Sequence, residues 1–147
     1  MKEFVTEAKI ENLGAVQSFI TGEMETGACS MKLQAQVVLA AEEIFVNIAR
    51  YAYNQSAPAS RSRSERSAPA VGSVAIRVAV GDEVIVEFED SGRPYNPLAK
   101  ADPDITLGVE EREIGGLGIF MVKKIMDAVR YRYEDNKNIL MIKKRVA

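Results

Sequence analysis

The sequence predicts an α/β fold of the α+β kind, a two-layer sandwich in which one mixed sheet carries its helices on a single face. Two observations predict it. Apolar residues alternate between strand and helix spacing in the order strand, helix, helix, two strands, helix, two strands. The chain of 147 residues, 47% hydrophobic and 27% charged, has the size and balance of one soluble domain. We therefore expect residues 1–147 to form a single domain around one core.

The first half of the sequence predicts one strand and two helices. The strand covers Phe4 to Ala8, and the first helix covers Asn12 to Thr26 with apolar residues along one face. Ser30 is a residue type that caps helices, so the second helix is predicted to run from Met31 to about Tyr53. Apolar residues recur on this helix at helical spacing: Leu33, Val37, Ala41, Ile44 and Ile48.

A segment rich in serine, alanine and arginine, residues 55–73, interrupts this pattern. It contains no large apolar side chain before Val71, so it cannot bury enough surface to offset the entropy of ordering. We predict a disordered insertion between a helix and a strand. A docking or phosphorylation loop built from its arginines and serines is the alternative.

The second half predicts two strand pairs separated by a long connection and a third helix. Gly81-Asp82 forms the first turn, and Asp135-Asn136 forms the second. The connection from Ser91 to Gly115 is long for a compact domain, so we expect it to be functional, for example as a lid. The predicted elements are strands over Ser73–Val80, Glu83–Asp90, Val129–Glu134 and Asn138–Val146 and a helix over Gly116–Asp127.

Composition excludes several classes of function. A net charge of −2 provides no basic field, so neither nucleic acid nor an anionic membrane is expected as a partner. Histidine is absent, which excludes Ser-His-Asp and Cys-His catalysis. Cys29 is the single cysteine, so no intramolecular disulfide is possible. Residues Met1 to Thr6 lack the apolar core of a signal peptide, and no stretch reaches the ~20 apolar residues of a membrane span, so we expect a cytoplasmic protein.

Three polar residues follow one stripe of the second predicted helix. Glu43, Asn47 and Arg50 are separated by four and three residues, a spacing that places them on the same side of an α-helix. An ordinary solvated helix face has the same pattern. The meaning of this stripe therefore depends on two further motifs.

The second motif begins at the end of a predicted strand, with Asp90 and Gly92. By alternation, Asp90 shares a strand face with Val84, Val86 and Phe88, the face expected to meet the helices. A carboxylate that points into a core needs a donor, and the amino group of a purine is one candidate. Gly92 would let the backbone approach a flat ring closely. A simple turn after a strand is the alternative.

The third motif is glycine-rich and opens the third predicted helix. Gly115, Gly116 and Gly118 are poor helix formers, but their bare backbone N–H groups at the positive end of a helix suit phosphate oxygens. Neither the dinucleotide fingerprint nor the Walker A loop fits, because no strand leads directly into the glycines and no Gly-Lys-Ser/Thr follows.

Taken in this order and spacing, the motifs resemble those of the Bergerat-fold ATPase superfamily, whose members are related to histidine kinases. Within it the sequence is most similar to the small bacterial anti-sigma regulatory factors, which are serine/threonine protein kinases. Residues Glu43 to Asn47 are similar to the N box of that family, Asp90 to Pro97 to its Asp-x-Gly motif, and Gly115 to Ile119 to its glycine lid. The resemblance covers nearly the whole chain, with residues 55–73 as an extra insertion.

The resemblance implies a role for each motif. Glu43 would be the catalytic general base, Asn47 would hold Mg²⁺ against the phosphates, and Asp90 would accept from the adenine amino group. The residues implied in ATP binding are Asn47, Arg50, Asp90, Gly92, Pro94, Asn96, Arg112, Gly115, Gly116, Leu117, Gly118 and Ile119.

Four residues depart from the family pattern. Tyr51 and Phe120 stand where the family often has histidine, Asn136 where glycine is usual, and Asn138 near a frequent threonine. These departures concern the tuning of the site rather than ATP binding as such.

The hypothesis from the sequence is an ATP-dependent serine/threonine kinase of the anti-sigma type, active in transcription regulation. Its cofactors would be ATP and Mg²⁺, and its protein partner a sigma factor or an anti-sigma antagonist, with a homodimer possible by the resemblance. Two alternatives remain open at this point. One is a nucleotide-gated binding module with negligible turnover, and the other is the ATP-binding output domain of a separately encoded signalling system.

Overall fold

The computed structural model describes residues 1–53, 72–99 and 116–147, in which five strands form one sheet covered by three helices. The strands are β1 (Lys2–Glu7), β2 (Ser73–Val80), β3 (Glu83–Asp90), β4 (Ala128–Glu134) and β5 (Lys137–Arg145), and the helices are α1 (Leu13–Thr26), α2 (Met31–Asn47) and α3 (Gly116–Ile125). The predicted two-layer α/β sandwich is confirmed. The predicted insertion at 55–73 lies outside the described residues, apart from its last two positions.

The strands are ordered β1-β2-β3-β5-β4, and every pairing among the described strands is antiparallel. The expectation of a mixed sheet is corrected by this order. Strands β3 and β4 do run in the same direction, but the β4–β5 hairpin folds back so that β5 lies between them. The turn of this hairpin, Asp135-Asn136, has positive φ at both residues (53° and 61°), which suits a two-residue hairpin and confirms that turn.

The helices pack against one face of the sheet, and the strand alternation defines that face. Ile76, Phe88 and Leu140 lie side by side on it in register, and so do Val78, Val86 and Ile142. From α1 and α2 the core receives Val16, Ile20, Met24, Leu33, Val37, Ala41, Ile44 and Phe45, all of them buried. The next register row holds Val74, Asp90 and Asn138, so the predicted inward phase of Asp90 is confirmed.

Helix α2 begins as predicted and ends earlier than predicted. The hydroxyl of Ser30 accepts a hydrogen bond from the N–H of Leu33 at 3.1 Å, a standard N-terminal cap. The α-helical geometry ends at Asn47 rather than near Tyr53, and the chain continues as a π-helical turn over Ile48–Ala52. Such wide turns are frequent at functional sites. Here the turn brings Ala52 and Tyr53 against the loop that follows β3.

Candidate functional site

A cleft opens between the end of α2 and the ends of β3, β4 and β5. The empty space within it is about 420 Å³, a volume that includes open solvent at its mouth. Most of the lining is apolar or aromatic, and the polar groups are few. The lining residues are Ile44, Asn47, Ile48, Ala52, Asp90, Arg93, Tyr95, Pro97, Tyr131, Asn138 and Leu140.

Asp90 is the buried carboxylate of this cleft, with 5% of its surface exposed. Its Oδ1 accepts two hydrogen bonds, one from the N–H of Gly92 at 2.9 Å and one from Nδ2 of Asn138 at 3.0 Å. Within the described ranges no donor bonds to Oδ2. Burial raises the pKa of Asp90, and the two hydrogen bonds oppose that rise. Among the described residues, one oxygen of this carboxylate is therefore left without a donor.

Asn138 connects this carboxylate to the loop after β3. Its Nδ2 also donates to the carbonyl of Arg93 at 3.0 Å, while its Oδ1 accepts from the N–H of Tyr95 at 3.1 Å and from the hydroxyl of Tyr131. Donors and acceptors thus converge on both ends of one amide that is only 6% exposed. This arrangement fixes which end of the amide faces Asp90.

The end of α2 holds the same loop from the other side. The hydroxyl of Tyr53 accepts from the N–H of Ser91 at 2.7 Å and donates to the carbonyl of Ser73 at 2.8 Å. The N–H of Arg93 donates to the carbonyl of Ala52 at 3.2 Å. The loop from Ser91 to Tyr95 is therefore a fixed floor for the cleft, held by hydrogen bonds to the π turn and Tyr53 on one side and to β5 on the other.

The structure explains the glycine at position 92 by close backbone packing, whereas the sequence predicted the close approach of a flat ring. A Cβ at this position would lie 2.3 Å from the carbonyl oxygen of Ala52 and 2.7 Å from its carbonyl carbon, both of them backbone atoms. Glycine is therefore required by the close approach of the π turn after α2 to the loop. Whether the same backbone also borders a flat ring stays a prediction.

Gly92→Ala is expected to destabilise the protein by about 1–3 kcal/mol, because the loop or the end of α2 must move to relieve the overlap. Thermal unfolding followed by circular dichroism measures this loss. Gly81→Ala is the matched control, since a Cβ on Gly81 meets nothing within 4 Å. Equal melting temperatures for the two variants would contradict the packing reason.

Glu43 meets the glycine-rich segment at the start of α3. An added Cβ on Gly118 would lie 2.2 Å from a carboxylate oxygen of Glu43. Glu43 itself is half-buried, as is Asn47 one turn later on α2. The structure therefore brings the first and third motifs together, and Asn47 and Asp90 both line the cleft.

Among the described residues, four other predicted site residues do not line the cleft: Arg50, Pro94, Asn96 and Ile119. Arg50 is exposed and belongs to the π turn that begins after Asn47, where the α-helical spacing used to predict it no longer holds. Pro94 is exposed, and so is Asn96, whose Oδ1 accepts from the N–H of Leu98. Ile119 is buried in α3. Gly116 and Leu117 begin α3, whereas Arg112 and Gly115 lie outside the described residues. Their ATP-binding roles remain predictions.

Only Asn47 and Asp90 of the lining were predicted as site residues. Of the remaining lining residues, four have polar side chains: Arg93, Tyr95, Tyr131 and Asn138. Asn138 lies directly opposite Asp90 on the neighbouring strand, a relation that becomes visible only once β3 and β5 are known to pair. No local signal identifies Tyr131 either, whose position depends on the order of the strands.

The described residues contain no group of three or more Asp, Glu or Cys side chains able to hold a metal ion on their own. An ion such as Mg²⁺ would therefore need oxygens from a ligand, together with an amide oxygen such as that of Asn47, and Mg²⁺ commonly binds in this manner. No helix in the described part of the chain is long and apolar enough to cross a membrane.

Comparison with known proteins agrees with these features. A family model described as a histidine kinase-like ATPase domain matches residues 6–144. The serine/threonine-protein kinase BtrW of Bordetella bronchiseptica is 24% identical over 113 residues, which cover 77% of this chain and 71% of that protein.

A crystal structure of the RsbU and RsbW domains of a Mycobacterium tuberculosis protein has the same fold, with a TM-score of 0.60 and 13% identity. The match covers 99% of this chain but only 33% of that longer one. The family model spans nearly the whole sequence, so the resemblance to histidine kinase-like ATPases is confirmed. The chain belongs to the histidine kinase-like ATPase domain family, which implies that it binds ATP.

Proposed function

We propose that this protein is an ATP-dependent serine/threonine protein kinase that regulates a protein partner in the manner of anti-sigma factors. The observation that carries the proposal is the arrangement of the three motifs. Asp90 and Asn47 line the cleft, one oxygen of Asp90 has no donor among the described residues, and Glu43 lies against Gly118 in the first turn of α3. The serine/threonine kinase name of the Bordetella relative supports the activity, and the fold of the RsbW domain supports the regulatory class.

Adenine is proposed to bind at the apolar end. Ile44, Ile48 and Leu140 offer flat apolar contacts, and the rings of Tyr95 and Tyr131 border the same space. The free Oδ2 of Asp90 would accept from the adenine amino group. A buried carboxylate without such a donor is costly, which is the physical reason for a ligand at this position.

The phosphates are proposed to extend toward α3. The N–H groups in its first turn have no partner within the helix, and the helix dipole favours negative charge there. The amide of Asn47 would hold a magnesium ion, which neutralises charge on the phosphates. Glu43, one turn earlier on α2, lies next to Gly118 and so near the proposed position of the terminal phosphate.

In the proposed reaction, a serine hydroxyl of the partner attacks the γ-phosphorus of ATP. A bond forms between the serine Oγ and phosphorus, the bond from phosphorus to the bridging oxygen breaks, and ADP leaves. Glu43 accepts the proton of the hydroxyl. The partner is proposed to be a sigma factor or an anti-sigma antagonist.

Binding of ATP is tested by titration calorimetry with and without Mg²⁺. We expect binding that depends on Mg²⁺, and we expect Asn47→Ala to weaken it about tenfold and to reduce that dependence, because a ligand of the ion is lost. Gln36→Ala on the same helix is the control. Absence of ATP binding by the parent protein would overturn the proposed function.

Transfer is tested by following labelled phosphate from ATP onto serine of co-purified or co-encoded partners. Labelled phosphoserine on a partner supports the kinase. Tight ATP binding without transfer to any of these partners would favour the nucleotide-gated binding module instead.

A further inference from the structure

We propose that Asn138 makes the cleft selective for adenine over guanine by occupying one oxygen of Asp90. This inference rests on the proposed nucleotide-binding function and adds a determinant of its specificity. Asn138 acts through Asp90, so it is a positioning residue. It also stands at one of the places where the sequence departs from the family pattern.

The geometry of the carboxylate carries the first step. Each carboxylate oxygen offers about two acceptor sites. The N–H of Gly92 and Nδ2 of Asn138 both end on Oδ1 of Asp90, at 2.9 and 3.0 Å. Oδ1 is therefore saturated, and only Oδ2 remains for a base. The N–H of Gly92 belongs to the turn directly after Asp90. Asn138 is therefore the side chain that fills the second acceptor site of Oδ1.

The amide of Asn138 is held in the orientation that this role requires. Its Oδ1 receives two donors, the N–H of Tyr95 and the hydroxyl of Tyr131. Its Nδ2 faces two acceptors besides Asp90, the carbonyls of Arg93 at 3.0 Å and Gly92 at 3.4 Å. A rotated amide would set donor against donor and acceptor against acceptor, so the N–H end stays on Asp90.

The edges of the two purines differ in the hydrogen bonds that they can donate to a carboxylate. Adenine presents one amino group beside a ring nitrogen that accepts, so a single acceptor oxygen is enough. Guanine presents a ring N–H and an amino group side by side, and this pair matches the two oxygens of an open carboxylate. With Oδ1 of Asp90 saturated, one guanine N–H would be buried without an acceptor, which is costly.

The test uses dissociation constants of ADP, GDP and IDP for the full chain, measured in competition with a fluorescent ADP analogue. Inosine keeps the ring N–H of guanine but lacks the 2-amino group. For the parent protein we expect ADP to bind about tenfold or more tightly than GDP. We also expect GDP to bind about tenfold more weakly than IDP, because the buried 2-amino group finds no acceptor.

Asn138→Val removes one of the two donors to Oδ1 of Asp90 and introduces a β-branched residue, which suits a strand. We expect the preference for ADP over GDP to fall about tenfold and GDP to gain over IDP. Tyr131→Phe is the matched control, since it loosens Asn138 but leaves Nδ2 on Asp90. In this control we expect the ADP to GDP ratio of the parent, whatever the absolute affinity.

Two results would overturn the inference and leave the proposed function standing. One is GDP binding to the parent more than about tenfold tighter than IDP, a measurement that needs no variant. The other is an unchanged ADP to GDP ratio in folded Asn138→Val. Failure of all three nucleotides to bind the parent would overturn the proposed function and the inference with it.

Discussion

Glu43→Gln is expected to slow phosphoryl transfer by about 10²–10⁴-fold while nucleotide affinity stays close to that of the parent. A general base acts on the proton of the attacking hydroxyl, so its loss affects the chemical step rather than binding. Glutamine keeps the size of the side chain, which matters because Glu43 packs against Gly118. A shorter residue would leave a gap beneath α3 and mix a packing effect with the chemical one.

The measurement is a single-turnover rate of phosphate transfer to the partner, together with the Kd of ATP from calorimetry. Glu42→Gln is the matched control, because Glu42 is the adjacent carboxylate, is also half-buried and belongs to the same helix. We expect its transfer rate to equal that of the parent. Transfer at the full rate in Glu43→Gln would remove the general-base role. Equal losses of transfer rate in both variants would indicate an effect of negative charge on α2 rather than proton transfer to Glu43.

Most of the fold was predictable because its signals are local. The strands Ser73–Val80 and Glu83–Asp90 were predicted with the bounds that the structure has, since alternation and a two-residue turn define both ends. The order of the strands was not predictable in the same way. It depends on the insertion of β5 between β3 and β4, a long-range pairing that the periodicity of the sequence does not encode.

In the candidate site, too, residues fixed by local signals were predictable and residues placed by long-range pairing were not. Asp90 was identified because strand alternation fixes its direction, and Asn47 because helical spacing holds up to that residue. Arg50 lies beyond the point where α2 widens into a π turn, so the spacing argument no longer applies to it. The roles of Asn138 and Tyr131 depend on which strands become neighbours, and this is knowable only from the folded chain.

Asp90→Asn is expected to weaken ADP and ATP binding by about 5- to 150-fold and to leave the nucleotide-free protein at least as stable as the parent. The loss of affinity follows because an amide N–H would replace the free Oδ2 and face the amino group of adenine. Such a mismatch costs about 1–3 kcal/mol, which corresponds to that range of Kd. The asparagine oxygen can still accept from Gly92 and Asn138, so the contacts on Oδ1 are kept.

The expected stability follows from the sign of the pKa shift. Burial raises the pKa of Asp90 in the folded protein, so folding disfavours its ionised form. Ionisation of Asp90 therefore lowers the free energy of unfolding once the pH exceeds the unfolded pKa, and the full penalty is present above the folded pKa. A neutral asparagine removes this penalty at neutral pH. The parent should also lose nucleotide affinity as acidification protonates Asp90. The affinity of Asp90→Asn should not fall with acidification in this way.

The neighbouring residue Glu89 provides a control with the opposite sign. It points to the other face of the sheet, where burial would raise its pKa but hydrogen bonding and charge from Arg77, together with the charge of Lys137, lower it overall. Its charge therefore stabilises the fold above the unfolded pKa, and that contribution is lost as the pH falls through the folded pKa. Glu89→Gln should lower the melting temperature at neutral pH and leave nucleotide binding intact.

The two variants separate a binding carboxylate from a structural one. A change of 1 kcal/mol shifts the melting temperature of a domain of this size by roughly 2–4 °C, so scanning calorimetry without nucleotide resolves the expected opposite trends. Adding ADP should then raise the melting temperature of Glu89→Gln as much as that of the parent, and that of Asp90→Asn much less, because ligand stabilisation depends on affinity. Equal nucleotide affinity in Asp90→Asn and the parent would show that the base binds elsewhere. A buried carboxylate that costs stability in the empty protein is retained, on this argument, because a bound nucleotide supplies its missing donor.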